Sequence, residues 1–285
     1  MTDNMKIDLH THSTASDGTF TPSELVRKAK ENGICAVALT DHDTMDGVAE
    51  FKKACDEYGI EGIPGVEISA RYSKEMHIIG LFTDEKDAEF KNKLDVLQNA
   101  RETRNREILR LVKQNGFDIT EEDIISQKNG ATLSNTGRSH IAREMVKKGY
   151  AKSTGDAFAK YLKKGKPCYA ERITYSPEES IQMIKKAGGT AILAHPVFIT
   201  EGYDKLYSLM SRLKDYGIDG MECYYNCYSE KFSLMCEDIC KKLNLVRSGG
   251  SDFHGNNKPD VSLGTVSTGI VPYSVLRNIK ERMGL

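Results

Sequence analysis

The stretch KIDLHTHSTASDGTF, residues 6–20, begins as a short apolar strand and ends its strand-like part with two histidines. Because side chains at i and i+2 of a strand point to the same face, His10 and His12 are expected to point in one direction. A helix pattern follows directly, with Thr21 as N-cap and Glu24 completing a capping box. The stretch therefore predicts a strand–loop–helix unit with both histidines at the carboxyl end of the strand.

The same alternation of strand and helix patterns continues along the chain. ICAVALTDH at residues 34–42 and TAILAHP at residues 190–196 are nearly continuous apolar runs, as is typical of strands buried on both faces. SPEESIQMIKKAGG at residues 176–189 repeats the capping pattern. At least seven such strands, mostly separated by helices, predict an α/β fold with a mainly parallel sheet, either open or closed into a barrel.

One segment interrupts this alternation. Residues 87–166 contain no convincing strand pattern and resemble three or four amphipathic helices. A segment of roughly 80 residues is the size of a small domain. We therefore expect an α/β domain formed by residues 1–86 and 167–285, interrupted by an all-helical insert at residues 87–166.

The composition is that of an ordinary globular protein. Apolar residues make up 39% and charged residues 28% of the 285 residues, and the formal net charge is −1. This balance does not indicate a globally basic nucleic-acid-binding protein, so any phosphate or nucleic-acid binding must come from a local patch. No apolar run is long enough to span a membrane, and the first residues lack a signal-peptide core. We expect a cytoplasmic protein without a membrane contact or an obligate protein partner.

Seven cysteines, an odd number without a secretion signal, predict reduced thiols. The last four have the pattern C-x3-C…C-x3-C, at Cys223, Cys227, Cys236 and Cys240. Four-thiolate zinc sites usually show a tighter spacing within each pair. We therefore interpret these residues as buried thiols rather than as a zinc site.

Six of the seven histidines lie on or just past predicted strands, and only His140 lies in the helical insert. The six are His10, His12, His42, His77, His195 and His254. Glu67 and Asp252 lie at further strand ends, and Asp17 lies in the loop after the first strand. Because the carboxyl ends of parallel barrel strands converge on one face, we expect these side chains to meet there.

A half-buried cluster of imidazoles and carboxylates is expected to bind cations. Clustered carboxylates repel one another and would bind protons, whereas divalent metals accept mixed nitrogen and oxygen ligands. No H-E-x-x-H helix motif, Ser–His–Asp signature or phosphate-binding P-loop competes for the explanation. The sequence therefore predicts a divalent-metal site at the carboxyl ends of the strands.

At this point the chain resembles a known family. The strings DLHTHS, ALTDHDT, GVEIS, HIIGLF, ILAHP and GGSDFHG, spread over residues 8–255, resemble the ordered motifs of the PHP (polymerase and histidinol phosphatase) family. The resemblance implies a distorted (β/α)7 TIM-like barrel carrying the helical insert. It also implies two or three divalent metal ions, usually manganese, iron or zinc, and hydrolysis of phosphate esters.

The resemblance implies a ligand set, motif by motif. One metal would be held by His10, His12, Glu67 and Asp252. A second would share Glu67 and take His77 and His195, and a third would take Asp17, His42 and His254. Some relatives have histidine where Asp17 stands, and a carboxylate there also ligates hard cations. The residues expected to be most directly required for catalysis are His195, Asp252, Asp17 and His254.

The helical insert indicates a substrate class. Its string GRSHIARE, residues 137–144, resembles the stand-alone PHP phosphoesterases, which include nucleoside 3′,5′-bisphosphate phosphatases and a 5′-to-3′ exoribonuclease. The implied substrates are nucleoside 3′,5′-bisphosphates, nucleoside monophosphates or short 5′-phosphorylated RNA, attacked by a hydroxide that bridges two metals. Arg138, His140 and Arg143 are the expected substrate-binding residues, with Arg138 able to contact a second phosphate bidentately. The alternative is that these three residues cap a helix or form a solvated face.

Other interpretations remain open at this point. RETRNRE, residues 101–107, is expected to be mostly solvated, with Arg101 or Arg104 as the residues able to face a cleft. Asp41 and Asp43 are expected to orient ligands rather than to bind metal. A histidinol-phosphate phosphatase would share the metals and differ in its substrate contacts. A PHP domain without turnover, acting as a metal-binding module, is the alternative from another class.

Overall fold

The computed structural model describes residues 5–127 and 132–285. It separates into two compact units, a barrel unit formed by Met1–Asn92 with Tyr175–Leu285, and a helical unit formed by Lys93–Thr174. Each has its own apolar core. Within the described residues, no helix combines the length and the hydropathy that crossing a membrane requires.

An eight-stranded mixed sheet, nearly closed into a barrel, forms the centre of the barrel unit. Its strands are β1 (Lys6–Asp8), β2 (Ile34–Leu39), β3 (Glu61–Ala70), β4 (Met76–Leu81), β5 (Thr190–Leu193), β6 (Gly220–Tyr224), β7 (Val246–Gly249) and β8 (Val271–Pro272). Their order is β7-β6-β5-β4-β3-β2-β1-β8. The predicted α/β barrel is confirmed.

Two strands depart from the expected parallel arrangement. β4 runs antiparallel to β3 and β5, and β8 runs antiparallel to β1. The turn between β3 and β4 is too short to hold a crossover helix, so the chain can only return in the opposite direction. This reversal places the amino end of β4 beside the carboxyl end of β3, where Ser69 pairs with His77.

Backbone hydrogen bonds join the carboxyl ends of β1 and β7. Leu9 donates its N–H to the carbonyl of Gly249 at 3.2 Å, and Asp252 donates to the carbonyl of His10 at 2.9 Å. His12 donates to the carbonyl of Phe253 at 2.9 Å. The first and last motifs of the chain are therefore held side by side.

Helices cover the barrel unit. They are α1 (Pro22–Glu31), α2 (Val48–Tyr58), α3 (Ala88–Gln114, which continues into the helical unit), α7 (Pro177–Lys186), α8 (Tyr203–Asp215), α9 (Glu230–Leu243) and α10 (Tyr273–Met283). The predicted capping boxes at Thr21 and Ser176 are confirmed. The apolar face of α10 packs against strand residues such as Ile7 and Ile192, which are fully buried.

The helical unit contains the remainder of α3 with α4 (Glu121–Ile125), α5 (Arg138–Lys147) and α6 (Thr154–Ala157), followed by a π-helical turn at Phe158–Leu162. Ile108 and Val112 of α3 pack with Ile141 and Met145 of α5 in a separate core. No strand occurs among the described residues of this unit, as the sequence led us to expect.

The glycines before Asp252 allow close packing at the end of β7. A Cβ on Gly250 would lie 2.5 Å from the backbone nitrogen of His10, and a Cβ on Gly249 would lie 2.6 Å from the Cβ of Tyr224. The backbones of these segments therefore approach one another closely at the end of β7. No larger residue fits without moving β1 or β6.

Gly250→Ala is therefore expected to reduce the free energy of unfolding by about 1–3 kcal/mol, the usual cost of overpacking. The control is Gly155→Ala, whose Cβ would meet nothing closer than 3.8 Å. Urea denaturation of both variants measures the difference. An unchanged midpoint for Gly250→Ala would contradict the assigned packing.

Candidate metal centre

All nine predicted ligands lie at one end of the barrel, although they come from several strands. His10, His12 and Asp17 follow β1, and His42 follows β2. Glu67 is in β3, His77 in β4, His195 follows β5, and Asp252 and His254 follow β7. His77 belongs here because β4 is antiparallel, so that its amino end lies at the same edge as the carboxyl ends of the other strands.

Glu67 lies at the centre of this cluster and is 1% exposed. Its Oε1 lies 2.9 Å from Nδ1 of His77 and 2.9 Å from Nε2 of His195. Its Oε2 lies 2.8 Å from Nδ1 of His42 and 3.3 Å from Nε2 of His12. A single carboxylate thus faces imidazoles from four segments of the chain.

The remaining acidic groups continue the cluster on either side. Oδ1 of Asp252 lies 3.2 Å from Nε2 of His12 and 3.3 Å from Nδ1 of His254. Oδ1 of Asp17 lies 3.2 Å from Nε2 of His254, whose ring stacks on that of His12 with centroids 4.0 Å apart. These contacts join the loop after β1 to the segment after β7.

Three groups of side chains bring ligand atoms close enough to hold a metal ion. They are His12 with Asp17, His42 and His254; His10 with His12 and Glu67; and His42 with Glu67 and His77. These groups overlap the three predicted ligand sets without reproducing their grouping. Within the described residues, cysteines contribute to none of them.

Several ligand atoms point at one another without forming hydrogen bonds. Oδ1 of Asp17, Oε2 of Glu67, Nδ1 of His42 and Nδ1 of His195 are buried and have no hydrogen-bond partner among the described residues. Oε2 of Glu67 and Nδ1 of His42 thus lie 2.8 Å apart with no hydrogen bond between them. Imidazole nitrogens and carboxylate oxygens are suitable donors for manganese, iron or zinc, so the residues fit the implied metals.

The same crowding shifts the pKa values of the cluster. Burial by itself lowers the pKa of His10, but the carboxylates of Glu222 and Glu67 raise it well above its ordinary value. Burial raises the pKa of Glu67, but His77 and His42 outweigh this and hold it well below its ordinary value. The cluster thus keeps its carboxylates charged by placing positive charge beside them, which bound cations do as well as protons.

Two of the predicted ligands have strained backbone conformations. His195 and Asp252 have φ values of 29° and 55°, in the region that residues other than glycine rarely adopt. Such conformations cost about 1–3 kcal/mol and persist where the surrounding structure determines them. Here they turn the two side chains towards the cluster.

Glu222 also belongs to this site, although it was not among the residues predicted from the sequence. This fully buried residue of β6 places Oε1 2.9 Å from Nδ1 of His10, and its Oε2 accepts the backbone N–H of His195 at 2.7 Å. Glu222 therefore orients the ring of one predicted ligand, His10, and the backbone of another, His195. The available signal was a carboxylate inside the apolar string GMECY, which burial makes unusual.

Tyr225 and Lys258 were also missed. The hydroxyl of Tyr225 donates to Oδ2 of Asp252 at 2.6 Å, and Nζ of Lys258 lies 2.5 Å from the same oxygen. The other oxygen of Asp252 faces His10 and His12. The carboxylate is thus oriented by two groups on one side and by imidazoles on the other. Lys258, with a side chain 38% exposed, also adds a solvent-accessible cation.

Asp41 and Asp43 accept backbone N–H groups close to predicted ligands. Asp41 accepts the backbone N–H of Ser13 at 2.8 Å, and Asp43 accepts that of Ser69 at 2.9 Å. Asp41 thereby fixes the loop that carries His12.

In the helical unit, Arg138, His140 and Arg143 all lie on α5. Nδ1 of His140 accepts the backbone N–H of Gly137 at 3.2 Å, so this buried ring caps its own helix. The guanidinium of Arg138 lies over the ring of Phe158 at 5.7 Å, and Arg143 is half-buried. Their contact with substrate stays a prediction.

The charged stretch of α3 is only partly solvated. Arg106 and Arg110 are exposed and pair with glutamates, as expected. Arg101 and Arg104, the two residues expected to be able to face a cleft, are each 7% exposed. They lie on the face of α3 from which Asn105 donates to the carbonyls of residues 133 and 136, so the helix packs there instead of meeting water.

This fold and this cluster define a barrel hydrolase of the metal-dependent phosphoesterase class. Residues 8–242 match the family model of the PHP domain, and the chain belongs to this family.

Relatives support this assignment. The chain is 36% identical over 253 residues to a 5′-3′ exoribonuclease of Haemophilus influenzae, covering 87% of this chain and 90% of the relative. It is 32% identical over 258 residues to a 3′,5′-nucleoside bisphosphate phosphatase of Chromobacterium violaceum, covering 87% of each. A solved structure from Bifidobacterium adolescentis, provisionally assigned as a metal-dependent phosphoesterase, superimposes with a TM-score of 0.86. It is 27% identical and covers 99% of this chain and 98% of that one.

Glu222→Gln is expected to weaken metal binding about 10–100-fold, the usual effect of removing a group that orients a ligand. The amide has one acceptor oxygen, so it cannot serve both His10 and the backbone of His195. Isothermal titration with Mn²⁺ or Zn²⁺ measures the change.

The control for this measurement is Glu61→Gln, which removes a carboxylate that pairs with Lys280 away from the cluster. Circular dichroism establishes that both variants are folded. Equal metal affinity in the two variants would show that Glu222 does not orient the ligands.

Proposed function

We propose that the nine converging residues hold two or three divalent cations, manganese, iron or zinc, and that the enzyme hydrolyses phosphate esters of nucleotides or short RNA. The proposal is carried by Glu67, whose two oxygens face separate sets of histidines. A carboxylate in this position could serve as a ligand of more than one cation. When bound, such cations supply a nucleophilic water at neutral pH and neutralise charge on the phosphoryl group.

The protein's own residues prepare the site for this chemistry. Glu222 fixes the ring of His10, so that Nε2 of His10 faces Glu67 and Asp252. Tyr225 and Lys258 hold one oxygen of Asp252 and leave the other directed at the histidines. Groups held in place before substrate arrives need no reorganisation during the reaction.

The substrates that we propose are a small subset of phosphate esters. They comprise nucleoside 3′,5′-bisphosphates, nucleoside monophosphates and short 5′-phosphorylated RNA. The names of the two relatives, an exoribonuclease and a bisphosphate phosphatase, support this proposal. Arg138 and Arg143 are proposed to contact the part of the substrate beyond the reacting phosphate, and His140 is proposed to hold the start of α5 beside them.

Removal of a proposed ligand tests the metal-centred function. His195→Ala and Asp252→Asn are each expected to reduce kcat at least 100-fold and to lower the number of metal ions bound per chain. Asp56→Asn, on the exposed surface of α2, is the matched control. Phosphate release and metal content are measured together. Near-normal turnover in either ligand variant would remove the proposal.

A substrate panel tests the finer assignment. The Mn²⁺-loaded enzyme is expected to have a kcat/KM for adenosine 3′,5′-bisphosphate or a 5′-phosphorylated dinucleotide at least 100-fold above that for histidinol phosphate. The reason is that only the nucleotides offer a second phosphate or a base for binding. Preference for histidinol phosphate would instead favour the histidinol-phosphate phosphatase alternative.

A further inference from the structure

A groove in the barrel unit lies between the β3–β4 turn and α8. Its volume is about 480 Å³, and its walls come from the turn, from the segment after β5 and from one side of α8. The residues on which the argument rests are Tyr72, Lys74, Thr200, Lys205, Ser208 and Arg212. None of them is a proposed metal ligand.

The groove is basic in a chain whose net charge is −1. Lys74, Lys205 and Arg212 line it, against a single acidic lining residue, Asp204. Within the part of the chain that the structure describes, Lys205 and Arg212 form no ion pair, and both are exposed. Cations left unneutralised along a groove attract a polyanion.

These cations are spread out rather than gathered at one point. Lys205, Ser208 and Arg212 have the i, i+3, i+7 spacing of one helix face. A rise of 1.5 Å per residue places Lys205 and Arg212 about 10 Å apart along α8. This spacing suits a chain of phosphates better than a single phosphate.

Two exposed aromatic rings accompany the charges. Tyr72 on the β3–β4 turn is 37% exposed, and Phe198 after β5 is 50% exposed. Exposed aromatic rings beside a basic groove are the usual means by which proteins stack unpaired bases.

The groove is connected to the metal centre through the segment after β5. The ring of Phe198 lies 5.3 Å from that of His195, measured between centroids. The next residue, Ile199, lines the groove and accepts a hydrogen bond on its carbonyl from Nζ of Lys74 at 2.8 Å. The β3–β4 turn is therefore tied to the segment that begins at a proposed ligand.

We propose that this groove binds the sugar–phosphate backbone of a single-stranded nucleic acid beside the reacting phosphate, with Tyr72 and Phe198 stacking on bases. The inference rests on the proposed function and deepens it, because it assigns the backbone of the short RNA among the proposed substrates to a particular surface of the barrel unit. Backbone charge and base stacking do not distinguish sequences, so the groove binds without sequence preference.

The test is a double charge reversal, Lys205→Glu with Arg212→Glu, assayed on two substrates. The kcat/KM for a 5′-phosphorylated RNA pentanucleotide is expected to fall at least tenfold, whereas that for adenosine 3′,5′-bisphosphate changes less than twofold. The slope of log(kcat/KM) against log salt for the pentanucleotide is expected to become shallower by about 0.7 for each phosphate that the variant no longer neutralises. The matched control is Lys231→Glu with Lys241→Glu on the exposed surface of α9.

Two further measurements separate stacking and sugar type from charge. Tyr72→Ala is expected to weaken binding of a fluorescent pentanucleotide about tenfold, and Tyr72→Phe to retain it, because stacking needs the ring and not the hydroxyl. RNA and DNA pentanucleotides are expected to be affected alike, since backbone charge and base stacking do not require a 2′-hydroxyl. An effect confined to RNA would overturn the stacking and backbone assignment.

The outcomes distinguish the groove from the metal-centred function. Unchanged turnover of the pentanucleotide, or an equal reduction for both substrates, would contradict the proposed role of the groove. If the wild-type enzyme hydrolyses neither nucleotide, the proposed function is wrong. The role of the groove is then tested by the affinity for the fluorescent pentanucleotide alone. Unchanged pentanucleotide affinity in the charge-reversal variant would overturn it in that case as well.

Discussion

The burial of the Glu67 carboxylate is the constraint on which the rest of the site depends. A charged carboxylate removed from water costs several kcal/mol unless positive groups surround it. Oε1 of Glu67 is met by His77 and His195, and Oε2 lies beside His42 without a hydrogen bond. The barrel provides this surrounding by bringing several strand ends together. The divalent cations that we propose for this site would complete it, since they can replace protons on the imidazoles and bind the carboxylate oxygens.

A second set of buried carboxylates keeps the barrel end in shape. Asp8 accepts backbone N–H groups from Ser251 and Gly264, and Glu222 accepts that of His195. Asp41 does the same for the loop after β1, and Asp43 for the carboxyl end of β3. Each of these anions compensates its own burial by satisfying a backbone donor that a loop would otherwise leave unpaired. These hydrogen bonds thus fix the backbone of the segments that carry the predicted ligands.

The barrel unit contains both the proposed chemistry and the proposed polynucleotide groove. The segment after β5 begins at His195 and ends in the wall of the groove, so one stretch of chain serves both. The helical unit has its own core, and the arginines of its α3 fall into two kinds. Arg101 and Arg104 are buried, whereas Arg106 and Arg110 are solvated. The positive charge of this protein is therefore gathered at particular sites, although the whole chain is nearly neutral.

Seven of the eight strands, the capped helices, the helical character of the insert and the placement of the nine converging residues at strand ends could be predicted from the amino-acid sequence. This was possible because apolar periodicity, caps and strand ends are local patterns. The reversal of β4, the burial of Arg101 and Arg104, and the roles of Glu222, Tyr225 and Lys258 became visible only in the folded chain. The physical reason is that these depend on contacts between distant segments. The carboxylate of Glu222 meets a ring 212 positions earlier in the chain, and no local pattern encodes which strands become neighbours.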